Sequence, residues 1–390
     1  MDIARPPLII RLRRASAPSF APFRYTSPTI TTHFREGLPL INIGIIGSGG
    51  IAQAQHMPAY ARLTDKAQIV AVADANEETA RSAAEKFGAQ RWFTDYRELL
   101  AMSEIDAVSV CTPNFMHMEP TIAALESGKH VLCEKPLARN ADEARKMVEA
   151  SRRSGKILQV ALQWRFTGVA QFLHRYIGEG NLGDVYFARA RALRRRGIPG
   201  WGVFIDKEKQ GGGPLIDIGV HILDATLWLM GYPKPVSVYG SAYAKFGHRH
   251  DVVGLMGQWD VEKFSVEDYA VGLIKFDNGA TVSLESSFCA NIAQDEFNTL
   301  LLGDKGGAYA DPFNNPPCQI FTEQNKTLFD MTPRHLPEIN AYHAEVEAFV
   351  DAIQNGKPSP VPGEQGLALN LILDGIYRSA ETGKEVEIAL

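Results

Sequence analysis

The chain has 390 residues, of which 45% are hydrophobic and 22% are charged, and its formal net charge at pH 7 is −5. This length favours two domains, and this composition is sufficient to fill two hydrophobic cores. The negative charge gives no electrostatic reason to expect nucleic acid or an anionic membrane as a partner. No stretch approaches the roughly 18 consecutive apolar residues of a membrane span.

The first 40 residues differ in composition from the rest of the chain. They contain six arginines, no lysine and two acidic residues, and serine, threonine and proline are frequent between residues 15 and 32. Such a composition predicts a disordered or arm-like extension at 1–40 without a catalytic role. Three uses remain open: an arm that wraps a neighbouring subunit, an organelle targeting peptide, or a start codon assigned too far upstream.

An apolar strand at 43–46 leads into a glycine turn and then into the start of a helix. In a dinucleotide-binding turn, the first glycines allow a tight bend and a close approach to the pyrophosphate, and the last small residue allows close helix–strand packing. Main-chain amides at the helix N-terminus then face the phosphates. The predicted phosphate-binding residues are Gly47, Gly49, Gly50, Ile51 and Ala52.

A second apolar strand at 68–73 ends in Asp74, which lies 22 residues beyond Ala52. An acid in this position accepts hydrogen bonds from the adenosine ribose hydroxyls. Ala75 and Asn76 follow it, so no arginine stands directly after the acid to bind a 2′-phosphate. The sequence therefore predicts NAD as the cofactor, in preference to NADP.

Strands and helices alternate up to residue 162, as a doubly wound parallel sheet requires. We therefore predict an NAD(P)-binding Rossmann domain at 41–162. After the first two strands, further strands are expected at 91–93, 107–110, 130–133 and 157–161, with helices at 120–127 and 141–154.

The second half of the chain changes character and predicts an α/β domain at 163–390 for substrate binding and oligomerisation. Alternating residues and an Asp277-Asn278-Gly279 turn indicate a large, open-faced, mostly antiparallel sheet. The predicted helices leave an apolar sheet face between Val236 and Phe288 uncovered, so we expect a homo-oligomer, dimeric or larger. Predicted strands lie at 185–193, 236–239, 270–276, 281–288 and 298–302, and predicted helices near 214 and at 339–354 and 364–382.

Four cysteines are scattered along the chain without C-x-x-C spacing. Cys111 and Cys133 fall at the ends of predicted buried strands, which is typical of small core residues in a reducing compartment. We therefore expect a cytoplasmic protein without a metal site.

Polar residues follow the fourth and fifth predicted strands, where open parallel sheets bind ligands. After the fourth strand come Thr112, Pro113 and Asn114, with His117 three residues on; this is a cofactor-cleft loop or a plain turn before a helix. After the fifth strand comes Glu134-Lys135-Pro136, in which a lysine beside a buried strand favours a side chain that faces a cleft.

A glycine run at 211–213 precedes a predicted helix that carries Asp217 and His221. These two residues are four apart and share one helix face. A carboxylate beside an imidazole is an acid–base arrangement, although the same spacing also occurs in surface pairs. Gly219 between them leaves space for a ligand or for another stretch of backbone.

An arginine run at 194–196 and Trp201 lie shortly before this glycine run. An indole ring packs on the apolar face of a sugar, and arginines bind hydroxyls or a phosphate. A basic strand edge that discourages aggregation is an equally good interpretation of the arginines.

Taken in order, these motifs resemble the Gfo/Idh/MocA oxidoreductase family from about Ile41 to Glu387. The resemblance implies a Rossmann domain followed by an open-faced sheet used for oligomerisation. It implies that Lys135 is the lysine of an E-K-P motif, and that Asp217 and His221 belong to a D-x-G-x-H motif. Gln163, which is expected to contact the cofactor together with Glu134 and Lys135, begins the segment after the sixth strand, in which Arg165 is expected near the substrate. Residues 266–268 resemble the acid pair of the family.

The expected reaction moves a hydride between a nicotinamide and a secondary ring hydroxyl of a sugar or glycoside, with C3 as the leading position. We expect His221 to act as the base, Asp217 to orient it, and Lys135 to hold the developing alkoxide. Lys135 and His221 can exchange these roles. Three alternatives remain: an inositol (cyclitol) dehydrogenase, an NAD-dependent glycoside hydrolase with transient oxidation, and a non-catalytic sugar or NAD sensor.

Overall fold

A computed structural model describes residues 39–389. The extension predicted at 1–40 therefore lies, apart from its last two residues, outside the described residues. Across 39–389, no helix combines the length and the apolar character that are needed to cross a membrane.

The first sheet has six parallel strands in the order β3-β2-β1-β4-β5-β6, which is the Rossmann order and confirms the prediction. The near-continuous apolar runs of its central strands are typical of parallel sheets that are covered on both faces. The strands are β1 (Ile41–Ile46), β2 (Ala67–Ala73), β3 (Arg91–Phe93), β4 (Ala107–Val110), β5 (His130–Glu134) and β6 (Leu158–Ala161).

Five helices connect these strands, with ends that the sequence explains. Asn76 and Asn140 accept hydrogen bonds from the third residue of the helices that they precede, and Gly88 and Gly155 end the same helices in the left-handed conformation. The helices are α1 (Met57–Arg62), α2 (Glu77–Phe87), α3 (Tyr96–Leu100), α4 (Met118–Glu126) and α5 (Ala141–Ser154).

The second sheet has nine strands in the order β14-β13-β12-β11-β7-β10-β9-β8-β15. Only β7 and β10 pair in parallel, so the predicted mostly antiparallel sheet is confirmed. Its strands are β7 (Val185–Leu193), β8 (Pro235–Tyr243), β9 (Tyr269–Phe276), β10 (Thr281–Ser287), β11 (Glu296–Gly303), β12 (Gly306–Ala310), β13 (Cys318–Gln324), β14 (Thr327–Met331) and β15 (Val386–Glu387).

The helices of the second half include two that the sequence analysis did not predict, α6 and the short α7. The predicted helices near 214, at 339–354 and at 364–382 are present with slightly different ends. These helices are α6 (Gly168–Gly178), α7 (Lys207–Gln210), α8 (Val220–Leu229), α9 (Ala341–Gln354) and α10 (Gly363–Thr382).

One face of the second sheet is covered by helices of the same chain. Val282, Leu284 and Phe288 are fully buried on this face, against which α8 and α10 pack. The expectation that this apolar face lacks a cover is therefore wrong, because these two helices lie along it. The opposite face carries the partly exposed Tyr239 and Leu273 instead.

Helix α9 completes the core of the first domain although it lies near the end of the chain. Its residues Val346, Phe349 and Val350 are buried in one cluster with Ile43 and Ile45 of β1. The Rossmann sheet therefore depends on residues about 300 positions further along the chain for part of its packing.

Candidate active site

The glycine turn after β1 has the geometry of a phosphate-binding turn. Gly47 has φ +82°, and a Cβ there would lie 2.9 Å from the main chain of Cys111 and Thr112. A Cβ on Gly49 or Gly50 would meet no protein atom within 4 Å, so open space borders the turn at both positions. The fold itself requires Gly47, whereas Gly49 and Gly50 leave room for a ligand.

The predicted helix start begins with a π-helical turn at Ala52–His56, which continues into α1. Ala52 is fully buried and Ile51 is half-buried. The small Ala52 side chain thus allows the close helix–strand packing that the motif predicts.

Asp74 stands at the end of β2 beside the glycine turn. Its Oδ2 accepts a hydrogen bond from the Ser48 amide at 2.8 Å, and its Oδ1 accepts one from the Asn76 amide at 2.9 Å. A cavity of about 400 Å³ opens beside Asp74, with Thr112 and Pro113 in its wall. Among the described residues that line it, none is basic. The cavity therefore fits the adenosine half of NAD, and the carboxylate disfavours a 2′-phosphate.

His117 is not positioned to bind a cofactor, which corrects the prediction. It is 1% exposed, and its Nδ1 and Nε2 each lie 2.8 Å from a main-chain oxygen, of Pro136 and Thr112 respectively. Burial lowers the pKa of His117, while its two main-chain hydrogen bonds oppose that shift. Its role is to join the loop after β4 to the loop after β5. The neighbouring Asn114 donates to the main-chain oxygen of Gln210 at 3.0 Å.

Glu134 at the end of β5 is also occupied by protein groups. Its Oε1 lies 2.8 Å from Nε2 of His56, and its Oε2 accepts a hydrogen bond from the Lys135 amide at 3.1 Å. Burial raises the pKa of Glu134, but the hydrogen bond from His56 and nearby positive charge outweigh burial and lower it. His56, which the sequence analysis did not select, thus anchors the E-K-P loop.

Lys135 and Asp217 form a part-buried ion pair. The Lys135 Nζ lies 2.9 Å from Oδ1 of Asp217 and 3.2 Å from its main-chain oxygen. The expected pairing of Asp217 with His221 is therefore wrong. An ammonium group forms a charge-assisted hydrogen bond with a carboxylate, which is stronger than one from a neutral imidazole.

His221 lies on α8 with its ring stacked on Trp164, at 5.3 Å between the ring centroids. Its Nδ1 is buried and has no hydrogen-bond partner among the described residues. Burial lowers the pKa of His221 well below its usual value, and the charges of Lys135 and Arg194 lower it further. The ring is therefore a neutral imidazole.

Glu267 holds the N-terminal end of the segment that carries Asp217 and His221. Its carboxylate accepts hydrogen bonds from the amides of Gly213 and Leu215, at 2.9 and 3.1 Å, and from the Tyr377 hydroxyl at 2.8 Å. Asp217 itself lies in a π-helical turn, Leu215–Gly219, directly before α8. Glu267 thereby fixes where this turn starts.

Gly219 makes a close approach to the second sheet. A Cβ there would lie 3.2 Å from the side chain of Ser286 on β10, which is tighter than ordinary van der Waals contact. This close approach brings the segment that carries Asp217 and His221 against the sheet.

Arg165 has a structural position, which contradicts its predicted contact with substrate. It is 2% exposed and forms a bidentate ion pair with Asp224. Its remaining donors reach the main-chain oxygen of Pro360 and the side chain of Gln365. A buried guanidinium requires such complete pairing, so none of its nitrogens is left for a sugar. Nearby, Gln163 donates to the Tyr342 hydroxyl at 3.0 Å.

The arginine run divides by function. Arg195 and Arg196 donate to main-chain oxygens of the loop after β10, as structural residues do. Arg194 is close enough to Asp217 and His221 for its charge to act on both. Trp201 is 54% exposed and makes an edge contact with Phe204. In the described part of the chain, no cluster of three or more His, Cys, Asp or Glu side chains is suited to a metal ion.

Comparisons with known families agree with this geometry. Residues 41–162 match the family described as an oxidoreductase family with an NAD-binding Rossmann fold, and residues 175–388 match its C-terminal alpha/beta domain. The chain belongs to the Gfo/Idh/MocA oxidoreductase family. Within that family it is an NAD-binding oxidoreductase, as the turn and the acid at Asp74 predict.

Two curated relatives and one solved structure illustrate the similarity. The chain is 40% identical over 350 residues to a D-glucoside 3-dehydrogenase of Escherichia coli strain K12, covering 89% of this chain and 97% of the relative. It is 26% identical over 355 residues to a myo-inositol 2-dehydrogenase of Thermotoga maritima, covering 89% and 98%. A levoglucosan dehydrogenase in complex with NADH and levoglucosan superposes with a TM-score of 0.80 at 26% identity, covering 90% of this chain and all of that one.

Proposed function

We propose that this family member is an NAD-dependent dehydrogenase that oxidises a secondary ring hydroxyl of a glucoside, at C3. The observation that carries the proposal is the Lys135–Asp217 ion pair beside a neutral His221 whose buried Nδ1 has no protein partner. The 40% identity to a D-glucoside 3-dehydrogenase supports the substrate class and the position.

In this proposal, each of the three residues has one role. His221, which is neutral because burial lowers its pKa, accepts the proton of the substrate hydroxyl. The Lys135 ammonium donates a hydrogen bond to the same oxygen and stabilises the negative charge that develops on it. Asp217 holds Lys135 in place, because its side-chain and main-chain oxygens both accept from Nζ. Bound NAD supplies the hydride acceptor.

Arg194 and Trp201 are the candidates for substrate binding outside this set. The guanidinium of Arg194 lies close enough to Asp217 and His221 for its charge to act on both. Trp201 has an exposed indole ring, which suits the apolar face of a sugar. The cofactor is proposed to contact the turn Gly47–Ala52, Asp74 and the loop from Thr112 to Asn114.

The second candidate function is oxidation of a cyclitol, which the relationship to a myo-inositol 2-dehydrogenase favours. A hydroxyl of an inositol ring requires the same base and the same cation. This site contains every residue that the hydrolase and sensor alternatives require. Only measurements of turnover can therefore distinguish these alternatives from a dehydrogenase.

The decisive experiment measures reduced-nicotinamide absorbance with NAD and a panel of methyl glucoside, free glucose and myo-inositol. Methyl 2-deoxyglucoside and methyl 3-deoxyglucoside are the matched pair: we expect turnover of the first and none of the second. Turnover of myo-inositol alone would establish the cyclitol function. Release of free sugar without net NADH would establish the hydrolase, and binding without turnover the sensor.

We also propose that residues 41–162 bind the cofactor, and that residues 163–390 bind substrate and mediate homo-oligomer formation. The exposed aromatic residues on the outer face of the second sheet support this assembly. The four free, buried cysteines support a reducing compartment, for which we propose the cytoplasm.

A further inference from the structure

A second cavity lies next to the catalytic histidine, separated from it by one indole ring. Trp164 stacks on His221 and makes edge contacts with Phe297 and Phe313, at 6.1 and 5.8 Å between ring centroids. These two phenylalanines line a cavity of about 410 Å³, whose other walls are formed by Gln294, Asp295, Asp311 and Asn314.

Phe313 presents an apolar ring to solvent at this cavity. Its side chain is 69% exposed, although its ring contacts both Trp164 and Phe297, the latter at 5.5 Å between centroids. The two neighbouring rings limit where the Phe313 ring can lie. An exposed aromatic ring held in this way is suited to stacking on a ligand.

The two carboxylates of the cavity are fixed by hydrogen bonds from the protein. Asp311 accepts from the Phe313 amide at 3.1 Å and from the Asn314 side chain at 3.3 Å, and Asp295 accepts from the Arg195 amide at 2.8 Å. Each carboxylate has lone pairs for additional donors, such as sugar hydroxyls.

A charge relationship also connects this cavity to the active site. Asp295 lies close enough to Arg194 to affect its pKa, and Arg194 in turn affects the pKa of His221. The aromatic contacts and the charge relationship therefore lead independently from the cavity to His221.

The lining favours a neutral occupant with hydroxyl groups over an apolar or an anionic one. A purely apolar group would cover the carboxylates without offering them a hydrogen bond, which costs free energy. A phosphate or carboxylate would be repelled by Asp295 and Asp311. A pyranose ring satisfies both parts of the cavity, because its C–H face packs on an aromatic ring while its hydroxyls donate to carboxylates.

We propose that this cavity binds the second sugar ring of a disaccharide whose first ring is oxidised at Lys135 and His221. The inference rests on the proposed function, since it assigns the part of the glucoside beyond the reacting ring. It names glucosyl disaccharides as the preferred substrate class.

The test compares methyl glucoside with a panel of glucosyl disaccharides of different linkage, using the full chain and NAD. At least one disaccharide should have a lower KM than methyl glucoside. Phe313→Ala should raise that KM about three- to tenfold, the range expected for loss of one aromatic contact, while kcat and the KM for methyl glucoside stay unchanged. Phe313→Trp, which keeps an aromatic ring at this position, should have the same KM for the disaccharide as the wild-type enzyme.

Phe329→Ala is the matched control, because Phe329 is a partly exposed phenylalanine on β14 outside the cavity. The proposed subsite is contradicted if no disaccharide has a lower KM than methyl glucoside. It is also contradicted if Phe313→Ala changes the KM for the disaccharide and for methyl glucoside equally. A wild-type enzyme that turns over methyl glucoside in either case retains the proposed function. Absence of turnover with every glucoside would overturn the proposed function and the subsite with it.

Discussion

The Lys135 ammonium is held by two oxygens of a single residue, Asp217. It donates to the side-chain Oδ1 at 2.9 Å and to the main-chain oxygen at 3.2 Å, although the two residues are 82 positions apart. Their side chains are only 19% and 13% exposed, so water weakens the interaction less than it would at the surface. The lysine of the cofactor domain is thereby placed by the helical segment of the second domain.

This relationship predicts non-additive losses. Lys135→Ala and His221→Ala should each lower kcat about 10²- to 10⁴-fold, the range for a positioned acid–base group. Asp217→Asn should lose nearly as much as Lys135→Ala, and little more when both changes are combined, because Asp217 acts through Lys135. NAD affinity, measured by fluorescence titration, should be unchanged. A full additional loss from Asp217→Asn in the Lys135→Ala background would show that Asp217 acts directly or through His221.

Cofactor preference should depend on Asp74. Asp74→Ala removes a charged acceptor beside the glycine turn, so the KM for NAD should rise about tenfold or more. The preference for NAD over NADP should narrow, because the repulsion of a 2′-phosphate is lost. Asp65→Ala, at an exposed turn before β2, is the matched control. A wild-type enzyme that prefers NADP tenfold would contradict this role for Asp74.

Arg165 should affect stability rather than substrate binding. Arg165→Ala leaves Asp224 as an unpaired buried charge, so the free energy of unfolding should fall by about 3–5 kcal/mol in urea titrations. The KM of the protein that remains folded should not change. Arg152→Ala breaks an exposed ion pair with Glu364 and should cost about 1 kcal/mol or less. If Arg165→Ala raised the KM without lowering the free energy of unfolding, Arg165 would instead contact the substrate.

The outer face of the second sheet should form a subunit interface. The protein should scatter light as a dimer or larger at micromolar concentration, and Leu273→Glu, on this outer face, should weaken the assembly. Leu255→Glu, which changes an exposed loop leucine, should leave the molar mass unchanged. A monomeric wild-type protein would contradict this expectation.

Stability should decrease in mild acid, partly because of His130. Burial, with a smaller effect of Lys156, lowers the pKa of His130 from 6.5 to about 4, and its Nδ1 accepts a hydrogen bond from the Ile157 amide. Above pH 6.5 the His130 ring is neutral in both the folded and the unfolded protein, so it does not make stability depend on pH. Between pH 6.5 and 4 the unfolded chain binds a proton that the folded protein does not, so stability falls as the pH falls.

The corresponding measurement is the melting temperature of wild type and His130→Asn at several pH values. Asparagine retains an acceptor for the Ile157 amide but does not titrate in this range, so its melting temperature should fall less steeply between pH 6.5 and 4. Parallel curves for the two proteins would show that His130 does not contribute.

The Rossmann domain was predictable because its determinants are local. Gly47 and Asp74 follow buried apolar strands, and each strand can be predicted from the apolar pattern of its own residues. Strand β14 was missed because every one of its residues is exposed, so it has no apolar periodicity, and its turn uses Asn325 and Lys326 at positive φ instead of a glycine.

The partners of charged side chains were less predictable, since they come from distant parts of the chain. Helical spacing pairs Asp217 with His221, but the fold brings the Lys135 ammonium, from the loop after β5, within 2.9 Å of the same carboxylate. Likewise, nothing near Arg165 in the sequence indicates that Asp224 and Gln365 occupy its nitrogens. Spacing therefore selected the candidate residues, whereas their pairing required the tertiary structure.

The burial of α9 residues in one hydrophobic cluster with β1 has a consequence for synthesis. When the ribosome has released the six strands of the Rossmann sheet, the surface later occupied by Phe349 and Val350 is still open to water. The first domain cannot reach its final stability until nearly the whole chain has emerged, and an isolated 41–162 fragment should expose this surface and aggregate. Nascent chains are therefore most in need of chaperone protection during the interval in which the second sheet is being translated.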